Sequence, residues 1–179
     1  MIPYVFIAGY ANAGKTTVIE NLVRELKSRG KKIATIKHAA HGYQMDPEGK
    51  DSYRTYQAGA DQVIVAGPSS YTIHKHCAKP PDLTELLAHI QHVDLILIEG
   101  FKAEKGPKIE VYRQRHSAII NKPHVPLEAT PSRLPPKSQV IALVTDAPLQ
   151  SNEPDTHVPF FYFHQTAELA DFITAIFHL

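Results

Sequence analysis

The stretch Gly9-Tyr10-Ala11-Asn12-Ala13-Gly14-Lys15-Thr16 fills every fixed position of the phosphate-cradling pattern G-x-x-x-x-G-K-[ST] and follows directly on the apolar run Tyr4 to Ala8. Glycines at both ends allow the backbone to curl so that successive N–H groups point inward at phosphate oxygens. Lys15 then reaches the outer phosphates. Thr16 offers a hydroxyl to Mg²⁺, and the helix expected to begin there presents its positive end to the same anion. A strand-to-helix junction is the context in which this pattern is most specific, and the chemistry it implies is binding of a nucleoside triphosphate.

A triphosphate with Mg²⁺ also needs a carboxylate to orient the metal's water shell, normally from a strand edge facing the loop. Glu99, closing the apolar run Val93-Asp94-Leu95-Ile96-Leu97-Ile98-Glu99-Gly100, is the best-placed acid, with a turn carboxylate before Gly100 as the alternative. Asp94 starts the same run and belongs at its far end. The segment from Lys37 to Arg54 is dense in residues that hold phosphate, metal or a reactive water and sits where a switch loop would. Asp46 and Asp51 could complete the Mg²⁺ shell. Lys50 and Arg54 could neutralise charge on a transferred phosphoryl group, and His38 or His41 could orient a nucleophile. A solvated loop would carry the same charges. Thr145-Asp146 ends a strand at a distance from the phosphate loop that suits a base; an Asp there would accept from two guanine N–H groups, whereas its other reading is a turn-starting residue. His74, His76 and Cys77 hold metal-capable atoms, but no second cluster has ligand spacing, so a partly exposed strand face is the simpler reading.

Elements to position these residues are visible in the pattern. Val18, Ile19, Leu22, Val23 and Leu26 recur at helical spacing and predict an amphipathic helix ending at Gly30. Strands are expected at Lys32–Ile36, Gln62–Ala66, Ser70–His74, Val93–Gly100, Ile109–Tyr112, Val140–Val144 and Phe160–Phe163. Pro80-Pro81-Asp82 should start a helix carrying Leu83, Leu86, Leu87 and Ile90, and Ala167–Phe177 should form a closing one. Lys37 to Ser52 reads as a loop. The Val93–Gly100 strand is apolar enough to be central, buried on both faces. Strands and helices in alternation imply an α/β fold of three layers, a mostly parallel central sheet with helices on both faces. Residues 121–139 hold Pro123, Pro126, Pro131, Pro135 and Pro136 and receive no regular structure.

A chain of 179 residues fits a single nucleotide-binding domain. Its net charge is only +1, with 43% hydrophobic and 21% charged residues, which indicates neither disorder nor nucleic-acid binding. Residues 1–50 carry eight Lys/Arg against four Asp/Glu, in keeping with a phosphate site there. The single cysteine fits a reducing compartment, and no apolar run reaches the length of a transmembrane helix, so the expectation is a cytoplasmic protein without membrane contact.

Taken together and in order, the phosphate loop, Ile36-Lys37-His38 with His41, the block Asp46-Pro47-Glu48-Gly49-Lys50-Asp51-Ser52-Tyr53-Arg54, Ala58-Gly59-Ala60, Asp94 to Lys102 and Pro107-Lys108-Ile109-Glu110-Val111 resemble the molybdopterin-guanine dinucleotide biosynthesis adapter family, MobB. The likeness runs from residue 5 to about 113. The loop alone is shared by a vast class; the D-x-x-G-K-D-S-x-R block and the E-G-F-K and P-K-I-E-V pair are specific to this group. The resemblance implies a dimeric P-loop protein that binds GTP with Mg²⁺, hydrolyses it weakly, and assists the guanylyltransferase that joins GMP to molybdopterin. By position it implies that Gly9, Gly14, Lys15, Thr16 and Thr17 hold the phosphates, with Glu99 at the Walker B position; Asn12 and Ala13, inside the same loop, join the candidate phosphate contacts. Lys37, Asp46, Lys50, Asp51 and Arg54 would form the nucleotide-facing signature loop. From the residues themselves, apart from the resemblance, Thr16, Asp51 and Glu99 make the candidate metal set and Asp146 the candidate base contact. Tyr10-Ala11-Asn12-Ala13 departs from the small residues common inside this loop, so Tyr10 is placed to shield the phosphates or meet a partner. Arg113, Arg115 and His116 could meet a pterin phosphate or a partner, a solvated strand end being the default. The competing functions are an ATP-dependent small-molecule kinase, which would need an acceptor site and an arginine-bearing lid, and a nucleotide-dependent dimer without turnover.

Overall fold

The computed structural model describes residues 1–44, 46–101, 103–113, 139–146 and 158–179. The proline-rich stretch, apart from Gln139, lies outside the described residues, as do Arg115 and His116. The chain forms two compact units, residues 1–38 with 90–179 and residues 39–89.

In the first unit, six strands lie side by side in the order β2 (Ile33–Lys37), β5 (Leu95–Glu99), β1 (Tyr4–Ala8), β6 (Lys108–Tyr112), β7 (Val140–Thr145) and β8 (Phe160–Tyr162). Every adjacent pair is parallel, so all carboxyl ends emerge on one edge. β1 runs between β5 and β6, with Val5 opposite Leu97 and Ile7 opposite Ile109. The apolar character of the run before Glu99 has the predicted cause, since Leu95 to Ile98 are all buried. The strand itself begins at Leu95, one residue after Asp94, whose carboxylate accepts from the Lys32 backbone N–H at 2.7 Å and so ties the starts of β5 and β2 together.

One face of this sheet carries α1 (Lys15–Ser28) and α4 (Thr166–Phe177). Val18, Leu22 and Leu26, one turn apart, bury against Val5, Ile7, Leu95, Leu97, Ile109 and Val111, and Leu169, Ala170 and Ile173 of α4 close the same cluster. Each of the valine, leucine and isoleucine side chains contributes about 1.5–3 kcal/mol on leaving water. Arg29, just past α1, clamps the two helices: its guanidinium meets Asp171 at 2.5 Å and Glu25 at 2.8 Å and donates to the Ala167 carbonyl at 3.1 Å. Gly30 then takes a left-handed turn, φ 80°, which lets the chain leave the helix for β2.

The alternate side chains of the strands, Phe6, Ile96, Ile98 and Lys108, are buried on the opposite face. A buried lysine there is unexpected from its sequence. Its ammonium lies 4.9 Å from the Phe6 ring centroid and donates to the Glu104 carbonyl. Burial lowers the Lys108 pKa, opposed by the charge of Glu104. The unfolded chain keeps an ordinary lysine near pKa 10.4 and therefore holds more protons over the interval below it, so the folded state gains stability as pH rises through that interval. Urea midpoints of wild type and Lys108→Met across about pH 8 to 11 should show wild type gaining relative to the variant. A pH-independent difference would mean the amine ionises normally.

The second unit holds α2 (Asp51–Gln57), the antiparallel hairpin β3 (Gln62–Ala66) with β4 (Tyr71–Lys75), and α3 (Leu83–Ala88). α3 starts at the Pro80-Pro81-Asp82 turn expected from the sequence, with Asp82 capping it in a capping box with Glu85, although the helix stops two residues before Ile90. Residues 51–54, expected on a loop, are helical instead: α2 buries no residue, so it has no apolar stripe by which periodicity would reveal it. Tyr56 on α2 stacks on both His74, centroids 4.4 Å apart, and His76, 3.8 Å apart. The two histidines weighed as metal ligands are therefore aromatic packing partners.

Candidate functional site

The bend of the chain after β1 is made by residues whose backbone few side chains tolerate. Gly9 has φ 147°, Asn12 φ 60° and Gly14 φ 99°. Such alternation of left- and right-handed residues turns N–H groups to a common side and makes an anion-binding concavity. Gly9 is held hard against β6: a Cβ there would lie 2.4 Å from the Val111 carbonyl oxygen. Ala13 is buried and joins the sheet core, which anchors the loop from beneath. Lys15 arches back over the loop and donates to the Tyr10 carbonyl at 2.7 Å, placing its ammonium above the curled backbone. Tyr10 itself stays 43% exposed at the loop tip. Thr17 follows in the exposed first turn of α1.

The neighbouring strand brings its acid to this loop. Thr16 donates its hydroxyl to Glu99 Oε2 at 3.4 Å, across 83 residues of sequence, and the Lys37 ammonium lies 3.8 Å from the same oxygen. Glu99 is mostly buried, with 16% of its side chain exposed, while Lys37 is exposed at 66%. A hydroxyl and a carboxylate together are hard oxygen donors suited to Mg²⁺, which commonly takes one or two protein ligands and fills its shell from phosphate and water. The residues present thus fit a magnesium nucleotide. Among the described residues no group of three or more His, Cys, Asp or Glu comes together. His38, beside Glu99, stacks on Phe101 with centroids 4.5 Å apart, and Gly100 leaves no room for a side chain, a Cβ there falling 2.7 Å from the His38 Cβ.

Asp146 follows β7 on the same edge and is exposed. β7 is the second strand from β1, about 10 Å away at ordinary strand spacing, a span suited to a nucleotide with phosphates at the loop and base at Asp146. The fold therefore gathers Gly9, Asn12, Ala13, Gly14, Lys15, Thr16, Thr17, Lys37, Glu99 and Asp146 on one edge of one sheet. Asp46, Lys50, Asp51 and Arg54 belong to the second unit. There Lys50 caps α2, Asp51 occupies its first turn and Arg54 its last, all exposed, while Asp46 lines a cavity of about 250 Å³ with Tyr43, Tyr53, Tyr56 and His74.

Residues 4–146 match the family model described as molybdopterin guanine dinucleotide synthesis protein B, MobB. This chain belongs to the MobB family. The molybdopterin-guanine dinucleotide biosynthesis adapter protein of Haemophilus influenzae is 35% identical over 179 residues, covering 99% of this chain and 90% of the relative. Its Escherichia coli counterpart is 33% identical over 180 residues, covering 97% and 92%. Among solved structures, Bacillus subtilis MobB superposes with a TM-score of 0.68 at 24% identity, over 97% of each chain. A MobB homologue from Bacillus stearothermophilus gives 0.65 at 20%, over 98% and 97%. These structures establish the MobB fold, and the α/β sheet with helices expected from the sequence is the one they share.

Arg113, weighed from the sequence as a contact for a pterin phosphate or a partner, also comes to this edge. Arg113, the residue after β6, lies against Gly14 of the phosphate loop, its guanidinium carbon 4.6 Å from the centroid of Phe163, the residue after β8. Sequence marks it as a strand-end cation that could meet a pterin phosphate or a partner; its pairing with Phe163 is not legible there, because no local pattern joins residues fifty positions apart.

Proposed function

We propose that this chain is a GTP-dependent adapter in the formation of molybdopterin guanine dinucleotide, working with the guanylyltransferase that joins GMP to molybdopterin and turning over GTP slowly. The observation that carries the nucleotide half of this reading is the meeting of Thr16, Lys37 and Glu99 beside the curled loop. The full-length likeness to adapters of that name supports the pathway half.

In this reading the loop N–H groups and the amino end of α1 hold the phosphates, and Lys15 leaves the Tyr10 carbonyl for the outer ones. Thr16 and Glu99 would hold Mg²⁺, with Asp51 a further proposed ligand, and the ion when bound neutralises charge on the phosphates. Lys37 adds a cation at the same flank. Asp146 accepts from the guanine edge, which adenine lacks. Asp46, Lys50, Asp51 and Arg54 make the segment between residues 39 and 57 responsive to the nucleotide, and a partner reads its arrangement. The site so built lies on a chain with no described helix long and apolar enough to cross a membrane, and we place it in the cytoplasm. A second copy as partner is supported by the hairpin, where Ile64, Ile73 and Tyr71, 61%, 53% and 69% exposed, share one uncovered face.

The deciding experiment is a calorimetric titration with hydrolysis-resistant GTP and ATP analogues in Mg²⁺, followed by capture of the guanylyltransferase with and without nucleotide. Tight GTP and weak ATP binding, with capture that depends on the nucleotide, is the expected result. Preference for ATP would instead favour a kinase and send the search to an acceptor.

A further inference from the structure

We infer that Arg113 is a phosphate-binding residue of the nucleotide site, directed at the inner phosphates, with Phe163 as the surface that aims it. The inference rests on the nucleotide reading above and adds a residue and a position to it.

Arg113 follows directly on β6, the strand paired with β1, and so comes to the sheet edge next to the loop. The contact is tight. A Cβ built on Gly14 would fall 3.3 Å from Arg113 Nε and 2.9 Å from the Phe163 ring, so the glycine is needed where arginine and phenylalanine close on the backbone. Phe163 lies under the guanidinium, and this stacking orients the planar fork without using any of its N–H groups. Arg113 Nε is buried and has no hydrogen-bond partner among the described residues. A desolvated guanidinium N–H is costly unless an acceptor answers it, and the residue type is the one that grips phosphate through two parallel bonds.

The sheet order decides which phosphates. Glu99 and Lys37 mark one flank of β1, where Thr16 and the metal end of the nucleotide belong. Arg113 and Phe163 stand on the other flank, towards β7 and Asp146. A nucleotide laid from Glu99 to Asp146 passes Arg113 with the phosphates nearest its sugar. Those groups are common to GTP and GDP, so Arg113 holds both alike and stays bound through turnover.

The test titrates the full chain, in Mg²⁺, with a hydrolysis-resistant GTP analogue and with GDP, comparing wild type, Arg113→Met, Arg113→Lys and Phe163→Leu, each checked for an unchanged melting curve. Methionine keeps the packing on Gly14 and Phe163 but removes the charge. It should weaken both ligands by a similar factor, on the order of tenfold or more. Lysine should recover part of the loss, and Phe163→Leu should fall between wild type and methionine. Wild-type affinity in Arg113→Met would make the residue a packing element and overturn the inference. Loss for the GTP analogue alone would overturn the inner-phosphate assignment. Absence of binding by the unaltered protein would bring down the nucleotide reading itself, a result distinguishable from either.

Discussion

Replacing Lys15 with alanine is expected to weaken nucleotide binding by about a hundredfold or more while leaving the fold as it is. The side chain is no part of the sheet core, and its Nζ donates to the Tyr10 carbonyl at the mouth of the loop. Its replacement removes an ammonium from the outer phosphates and leaves that core untouched. Titration with the hydrolysis-resistant GTP analogue measures the loss, and a circular dichroism melt overlying that of wild type shows the fold intact. Affinity retained in the variant would mean that the loop is not the phosphate site.

Gly9→Ala should act through the opposite channel and unsettle the fold. The new methyl group would sit 2.4 Å from the Val111 carbonyl oxygen at φ 147°. Neither side can yield readily, since the Val111 carbonyl is backbone of β6 inside the parallel sheet and the methyl is fixed to the chain just as it leaves β1. Strain of this kind costs roughly 1–3 kcal/mol, and overpacking adds a comparable amount, so a loss of about 3 kcal/mol or more is expected in denaturant unfolding. Gly14 makes a useful contrast, because the obstacle there is the edge of the Phe163 ring, a side chain able to swing aside. Its alanine variant should lose less stability than Gly9→Ala. Equal stability of Gly9→Ala and wild type would show that the loop can slide off β6.

What the amino-acid pattern reveals of this molecule follows from how far apart the interacting residues stand. β1, α1 and β5 are plain because each declares itself locally, through a continuous apolar run or a stripe at helical spacing. Glu99 is legible because its strand leads straight to it. Residues of α2 give no such sign, since a helix that buries nothing is written in the same polar alphabet as a loop. The buried Lys108 is invisible for a related reason: its cover comes from Phe6 and the Glu104 carbonyl, and no strand pattern predicts a cation facing a core. Arg113 becomes informative only when β8 brings Phe163 to it.

The placement of β1 also governs how the molecule comes into being. Its partners are β5 and β6, with Tyr4 opposite Ile96 and Phe6 opposite Lys108, so roughly ninety residues must be synthesised before the first neighbour exists. At about 5–20 residues per second, the apolar strand that founds the sheet waits roughly five to twenty seconds with no edge to join. Pairings of such sequence separation also fold slowly. A ribosome-bound chain ending before residue 95 should therefore be a substrate for chaperones that hold exposed strands, and release should coincide with emergence of the segment that carries Glu99.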